Sequence, residues 1–165
     1  CDWSSDVCSS DLTERILTTA KGDLQSVKSA LAFLYLQRGT PCIYYGTELA
    51  LIGGPDPDCR RVMPWERVSA DNDMLNFMKD LIQLRKEVAG MIHYGKVSLE
   101  EVEPDVVAVE WQHEGHMLKA YFNQSKKDVV LESGQADLIS LGSISHDRLI
   151  IQPNGFVIYR EELNV

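Results

Sequence analysis

The 165-residue sequence has no basic cluster, and its 16 Lys and Arg are outnumbered by 25 Asp and Glu, a net charge of −9. A surface of that sign repels a phosphate backbone, so no nucleic-acid partner is expected. No apolar run approaches the ~18 residues that a spanning helix needs, so no membrane insertion is expected. The first residues lack a basic stretch followed by an apolar one, so no secretory leader is expected, and a cytoplasmic location follows. There is no GxGxxG and no other phosphate-cradling loop, hence no expected nucleotide or other cofactor. The four cysteines, Cys1, Cys8, Cys42 and Cys59, form no CxxC pair. Free thiols fit a reducing compartment, and a Cys42–Cys59 disulfide is the alternative. Repeats and low-complexity tracts are absent, and the sequence carries no sign of an oligomeric state.

What is present is apolar: 44% of residues are hydrophobic, enough for a core and too many for disorder. The first twelve residues, CDWSSDVCSSDL, share no period with the rest. They resemble a translated sequencing-adapter scar, so 1–12 is expected to lie outside the fold. From Asp23 to Arg38 the spacing of Leu24, Val27, Leu31, Leu34 and Tyr35 predicts a helix, with Asp23 as N-cap and Gly39 just past the end. Pro41 blocks continuation. Cys42-Ile43-Tyr44-Tyr45 then reads as a short strand buried on both faces. Residues 47–68 form a long loop of glycine, proline and charge, and ordered loops of that length often carry function. Met74, Phe77, Met78, Leu81 and Ile82 predict a second helix, starting near Ser69 or Asp71, with Arg85 and Lys86 complementing its dipole at the other end.

Past Gly90 the period becomes two. Strands are predicted around 97–102, 107–111, 118–122, 129–131, 138–141, 148–151 and 156–159, which together suggest an antiparallel sandwich. Glu100, Glu101, Glu103 and Asp105 fit a solvated sheet edge. His113-Glu114-Gly115-His116 fits a hairpin turn better than a metal site, and Asp56-Pro57-Asp58 lacks the rest of a calcium loop, so no metal is expected. Asn123-Gln124-Ser125 matches a glycosylation sequon by chance. A lone strand with two buried faces needs neighbours on both edges, so the first half is expected to be part of something larger.

GTPCIYYGTE at 39–48 and GGPDPDCRRVMPWE at 53–66 carry a resemblance. Together they are similar to the last barrel strand and following loop of the α-amylase family of glycoside hydrolases. Within it, the cyclomaltodextrinase, neopullulanase and maltogenic amylase branch has a similar GG-x-DP-x-CR…MxW run. TERILT at 13–18 resembles the segment after the penultimate barrel strand, and LIQLRKE at 81–87 resembles the final barrel helix. The likeness implies a fold of α/β plus all-β type: the C-terminal part of a β/α (TIM) barrel over 13–89, then an antiparallel β-sandwich domain over 90–165. Barrel strands are rigid posts whose C-terminal loops build the cleft, which would explain a short strand carrying so elaborate a loop.

The same resemblance implies chemistry. Retaining glycosidases use two carboxyl groups ~5–5.5 Å apart, one as nucleophile and one as acid. In the family both precede the region matched here. A third acidic residue, after a histidine, would stand just ahead of TERILT, where this sequence has Asp11-Leu12. No catalytic residue is therefore assigned, and the chain alone is expected to be inactive on glucans. Asp56 and Arg60 match an acidic–arginine pair that holds sugar hydroxyls, so an α-glucan oligosaccharide is the expected partner. A carboxylate accepts from vicinal hydroxyls and a guanidinium donates in a fixed fork, though a salt bridge that only shapes the loop uses the same two residues. Asp58 and Arg61 are expected to be solvated or structural. Glu48 sits where strand meets cleft and fits an orienting role for loop backbone. Trp65 has the chemistry to stack on a sugar, but its commoner role is a packing plug under the loop. The alternative function is a non-catalytic carbohydrate-binding or stabilising sandwich module. Substrate preference among cyclodextrin, pullulan and starch is not legible.

Overall fold

The computed structural model describes residues 13–132, 137–140, 142–145 and 148–162. The expected tail, 1–12, lies outside the described residues. The chain divides into two compact units: the described residues up to Lys28 with Pro41–Lys79, and Ser29–Thr40 with Asp80 onward.

Among the described residues four α-helices are present: α1 (Ile16–Thr19), α2 (Leu24–Tyr35), α3 (Asp73–Glu87) and α4 (Ala89–Tyr94). The Asp23 carboxylate begins α2 as expected. It accepts from the Gln25 backbone N–H at 3.0 Å and from the Ser26 hydroxyl at 2.5 Å, satisfying donors that the first turn leaves open. Val27, Leu31 and Tyr35 are buried, but Leu34 is not. Helix α3 starts later than the sequence suggests. Its cap is Asn72, whose side-chain oxygen accepts from the Leu75 N–H at 2.9 Å, rather than Ser69 or Asp71. Leu84 joins its buried stripe in place of Ile82, which is exposed.

Arg85 does more than complement a dipole. Its guanidinium donates to the carbonyls of Tyr35, Gln37 and Gly39, each at 2.5 Å, and so satisfies acceptors past the end of α2. Partial burial holds its pKa below the ordinary arginine value.

The expected strand over 42–45 is not formed. Among the described residues Cys42–Tyr45 have no strand partner; Cys42 and Tyr45 are exposed, and Ile43 and Tyr44 half-buried. A β-segment gains its stability from neighbours on each edge, and none is at hand here. Cys42 and Cys59 are both free thiols, Cys42 exposed and Cys59 buried.

The described residues of the second unit carry eight strands: β1 (Lys96–Glu103), β2 (Val106–His113), β3 (His116–Asn123), β4 (Val129–Glu132), β5 (Asp137–Ser140), β6 (Gly142–Ser145), β7 (Arg148–Ile151) and β8 (Phe156–Glu162). They form a five-stranded sheet ordered β1-β2-β3-β8-β5 and a three-stranded sheet ordered β4-β7-β6, with every pairing antiparallel. Strand β6 was not expected. Its sequence, GSIS, offers a single apolar residue and therefore no alternation to read.

The pleat explains how the five-stranded sheet is buried on both faces. Tyr121 pairs with Val157 and Lys119 with Tyr159. Val157 and Tyr159 pack with Leu149 and Ile151 of β7, joined by Tyr121 and Leu131, which makes the core between the sheets. The alternate residues Trp111, Leu118, Ala120, Phe122, Phe156 and Ile158 are buried on the opposite face, where Phe33 of α2 meets Phe122 edge-on at 5.4 Å between centroids. Burial, first, and a hydrogen bond with Tyr121 raise the Tyr159 pKa well above the phenol range. Strand β1 is an edge, exposed along almost its whole length and lined by Glu100, Glu101 and Glu103. His113 faces His116 across a two-residue turn, with Glu114 and Gly115 both at positive φ, the geometry of a tight hairpin.

Asn123 is 1% exposed and fully engaged. Its amide donates to the carbonyls of Lys127 (2.8 Å), Ile151 (2.9 Å) and Gln152 (3.0 Å), and its oxygen accepts from the Ser125 N–H (2.9 Å). The sequon nitrogen is thus committed inside the fold, which agrees with a chance match.

Candidate functional site

The loop after Tyr45 begins with a reversal at Gly46, whose φ is 81°. Its carbonyl accepts from the N–H groups of Leu49 (3.0 Å) and Leu51 (2.9 Å). A Cβ at Gly46 would stand 2.7 Å from Leu51 Cδ2, so both backbone sign and space call for glycine there. Three short 3-10 turns follow, Thr47–Leu49, Asp58–Arg60 and Trp65–Arg67. Glu48 lies half-buried in the first of them.

Asp56 precedes the second turn and Arg60 is its last residue. Arg60 Nε lies 2.8 Å from Asp56 Oδ1, and about half of each side chain is exposed, 51% for Arg60 and 42% for Asp56. The two expected site residues are therefore brought together as an ion pair that still faces solvent. Asp58 and Arg61 form a second pair of different character. Arg61 Nε and Nη2 donate to the two Asp58 oxygens at 2.8 and 2.9 Å, a bidentate fork, and Asp58 Oδ2 also accepts from the Gly54 N–H at 2.6 Å. This pair ties the turn together, in line with a structural role. The Tyr45 hydroxyl adds a strut by donating to the Arg61 carbonyl at 2.9 Å.

Hydrogen bonds from Arg61, and then from the Gly54 N–H, hold the Asp58 carboxyl below the ordinary carboxylate value. A depressed pKa contributes stability that is present above the unfolded value and lost as pH falls through the folded one. Acidification through that window should therefore loosen the 54–61 turn. A carboxyl-carbon NMR titration checks this: Asp58 should titrate below the ordinary aspartate value.

Arg15 was not singled out by sequence reasoning. It is 4% exposed, an unusual burial for arginine. Its backbone N–H donates to Gly53 O at 2.9 Å, its Nε to Cys59 O at 2.6 Å, and its Nη1 to Tyr45 O. Its guanidinium lies over the rings of Tyr44 and Tyr45, 4.2 and 4.6 Å from the centroids. Its Nη2 is buried without a hydrogen-bond acceptor among the described residues. The one sequence signal was an arginine abutting the apolar pair Ile16-Leu17.

Gly53 completes the anchor. Its N–H donates to the Thr18 hydroxyl at 2.9 Å, and a Cβ there would fall 2.6 Å from Asp58 O. Trp65 departs from expectation: it is 70% exposed, so it does not plug the loop from beneath. Among the described residues no three His, Cys, Asp or Glu side chains gather in a way that could hold a metal ion.

Comparison with known proteins gives the loop its context. No family model matches. The intracellular maltogenic amylase of Bacillus subtilis is 33% identical over 158 residues, which is 88% of this chain and 27% of that protein. The chain belongs to the α-amylase family of glycoside hydrolases. A cyclomaltodextrinase of Thermoanaerobacter pseudethanolicus is 34% identical over 154 residues, covering 90% of this chain and 27% of the relative. In structure, the cyclic α-maltosyl-(1→6)-maltose hydrolase of Arthrobacter globiformis superposes with a TM-score of 0.75 over 92% of this chain and 33% of that one. At 22% identity that likeness speaks to the fold alone. The chain thus spans about a quarter of the length of these two family members.

Proposed function

We propose that the chain forms part of a retaining glycoside hydrolase acting on α-glucosidic bonds of maltodextrins, cyclodextrins or pullulan, and that its share of the work is substrate contact. Residues 13–89 would be the end of the catalytic barrel and 90–165 the sandwich domain. The absence of a strand partner for Cys42–Tyr45 among the described residues supports a barrel strand whose neighbours lie in other parts of the parent enzyme. No residue of this chain is assigned as nucleophile or acid. The relative named as an intracellular maltogenic amylase supports a cytoplasmic setting.

The observation that carries the reading is the half-exposed Asp56–Arg60 pair, with Nε and Oδ1 2.8 Å apart. Two opposite charges fixed beside each other present an acceptor and a fork of donors to one sugar ring. Ion-pairing to each other does not exclude this, because about half of each side chain remains exposed to solvent.

Charged hydrogen bonds contribute about 1.5–3 kcal/mol each, so Asp56→Ala or Arg60→Ala should weaken maltotriose binding by roughly 10- to 100-fold. Calorimetric titration of the chain with maltotriose, before and after substitution, is the measurement. Affinity unchanged in both variants would place glucan contact elsewhere and favour the sandwich as a binding module.

A further inference from the structure

We propose that Arg15 is the positioning residue for the Asp56–Arg60 pair. The proposal rests on the reading of that pair as a sugar contact. Asp56 and Arg60 lie on a short stretch of chain that Arg15 anchors before the pair and within it. Before the pair, the Gly53 carbonyl accepts from the Arg15 backbone N–H at 2.9 Å. Between Asp56 and Arg60, the Cys59 carbonyl accepts from Arg15 Nε at 2.6 Å. The carbonyl of Tyr45, at the start of the loop, accepts from Nη1. One residue thus joins three points of the loop, two through its side chain and one through its backbone N–H.

Two features make this anchor rigid. The guanidinium lies over two tyrosine rings, 4.2 Å from the Tyr44 centroid and 4.6 Å from that of Tyr45. Burial to 4% exposure removes competing water, which strengthens each hydrogen bond and makes its loss costly. Close approach at Gly53 allows no slack, since even a methyl group there would meet Asp58 O at 2.6 Å and Arg15 Cγ at 3.2 Å. Without Arg15 the turn keeps its internal Asp58–Arg61 fork, so it can stay folded on itself while losing its place. Arg15 touches neither Asp56 nor Arg60 through these bonds; it fixes the backbone from which both extend.

The test uses the full chain, nitrogen-labelled, with Arg15→Lys and Tyr44→Leu. Lysine keeps the charge but offers a point in place of a fork, so it should fail to rescue. Arg15→Lys should move the amide signals of 53–61 and the Arg60 Nε signal, and should weaken maltotriose binding about tenfold, because two side chains lose their preset geometry. Tyr44→Leu removes one of the two rings under the guanidinium and leaves the Arg15 donors in place, and should move the same signals less; it carries the test if Arg15→Lys does not fold. Loop signals left at their parent positions in the folded variants overturn the proposal, even if the unfolding midpoint drops, because that pattern is a purely structural arginine. Displaced loop signals together with an Asp56→Ala variant of unchanged affinity would leave the anchor standing and sink the sugar-contact reading instead.

Discussion

Trp111→Ala should destabilise the sandwich unit by about 3–5 kcal/mol, the usual cost of truncating a large, fully buried aromatic. Trp111 is 1% exposed and lies in the middle of the five-stranded sheet, opposite Val97 on β1 and Leu118 on β3. It shares a face with Ala120, Phe122, Phe156 and Ile158, all 4% exposed or less, so the cavity left behind would be lined by side chains already fixed by their own packing. Strand backbones on either side are hydrogen-bonded in register and cannot collapse into the gap. Urea unfolding followed by far-ultraviolet circular dichroism reads the effect as a lower midpoint; with a slope of about 1–3 kcal/mol per M, the shift should exceed about 1 M. Trp65→Ala is the matched control. At 70% exposure it should stay within about 0.5 kcal/mol of the parent. Equal effects at the two tryptophans would contradict the burial described here.

Asn123→Ala should cost about 2–4 kcal/mol by another mechanism, stranded hydrogen-bonding groups. The wild-type amide supplies donors to the carbonyls of Lys127, Ile151 and Gln152 and an acceptor to the Ser125 N–H. It links the chain leaving β3 to the turn between β7 and β8, two connections far apart in sequence. Alanine fills too little space for the loop to close over it and offers neither donor nor acceptor. Asn123→Asp separates donors from shape: it is isosteric, but an ionised carboxylate would face three carbonyl oxygens. The Asp variant should be less stable than the Ala variant at neutral pH and recover as pH falls, since protonation restores one donor and the folded state then binds the proton more tightly. Thermal unfolding of both variants across acid and neutral pH measures this. An Asp variant as stable as the parent at neutral pH would mean the three carbonyls do not depend on Asn123.

The sequence alone determined the parts of this protein that depend on local rules. Period-two patterning marks β1, β2, β3, β7 and β8, because successive side chains along a strand point to opposite faces. Asp23 and the spacing of Val27, Leu31 and Tyr35 mark α2 for the same kind of reason. The likeness of the run GGPDPDCRRVMPWE to the family's cleft loop singled out Asp56 and Arg60 as candidates. What only the tertiary structure decided involves groups distant in sequence. Arg85 closes α2 from 46 residues beyond Gly39 or more. Arg15 reaches 44 residues to Cys59. Trp65 is exposed although its flanks read as a plug, and Cys42–Tyr45 has strand-like composition without a strand partner among the described residues. Such outcomes turn on which carbonyl, ring or neighbouring strand comes within reach. A local pattern sets what a segment is able to do, and the partners that folding brings to it set what it does.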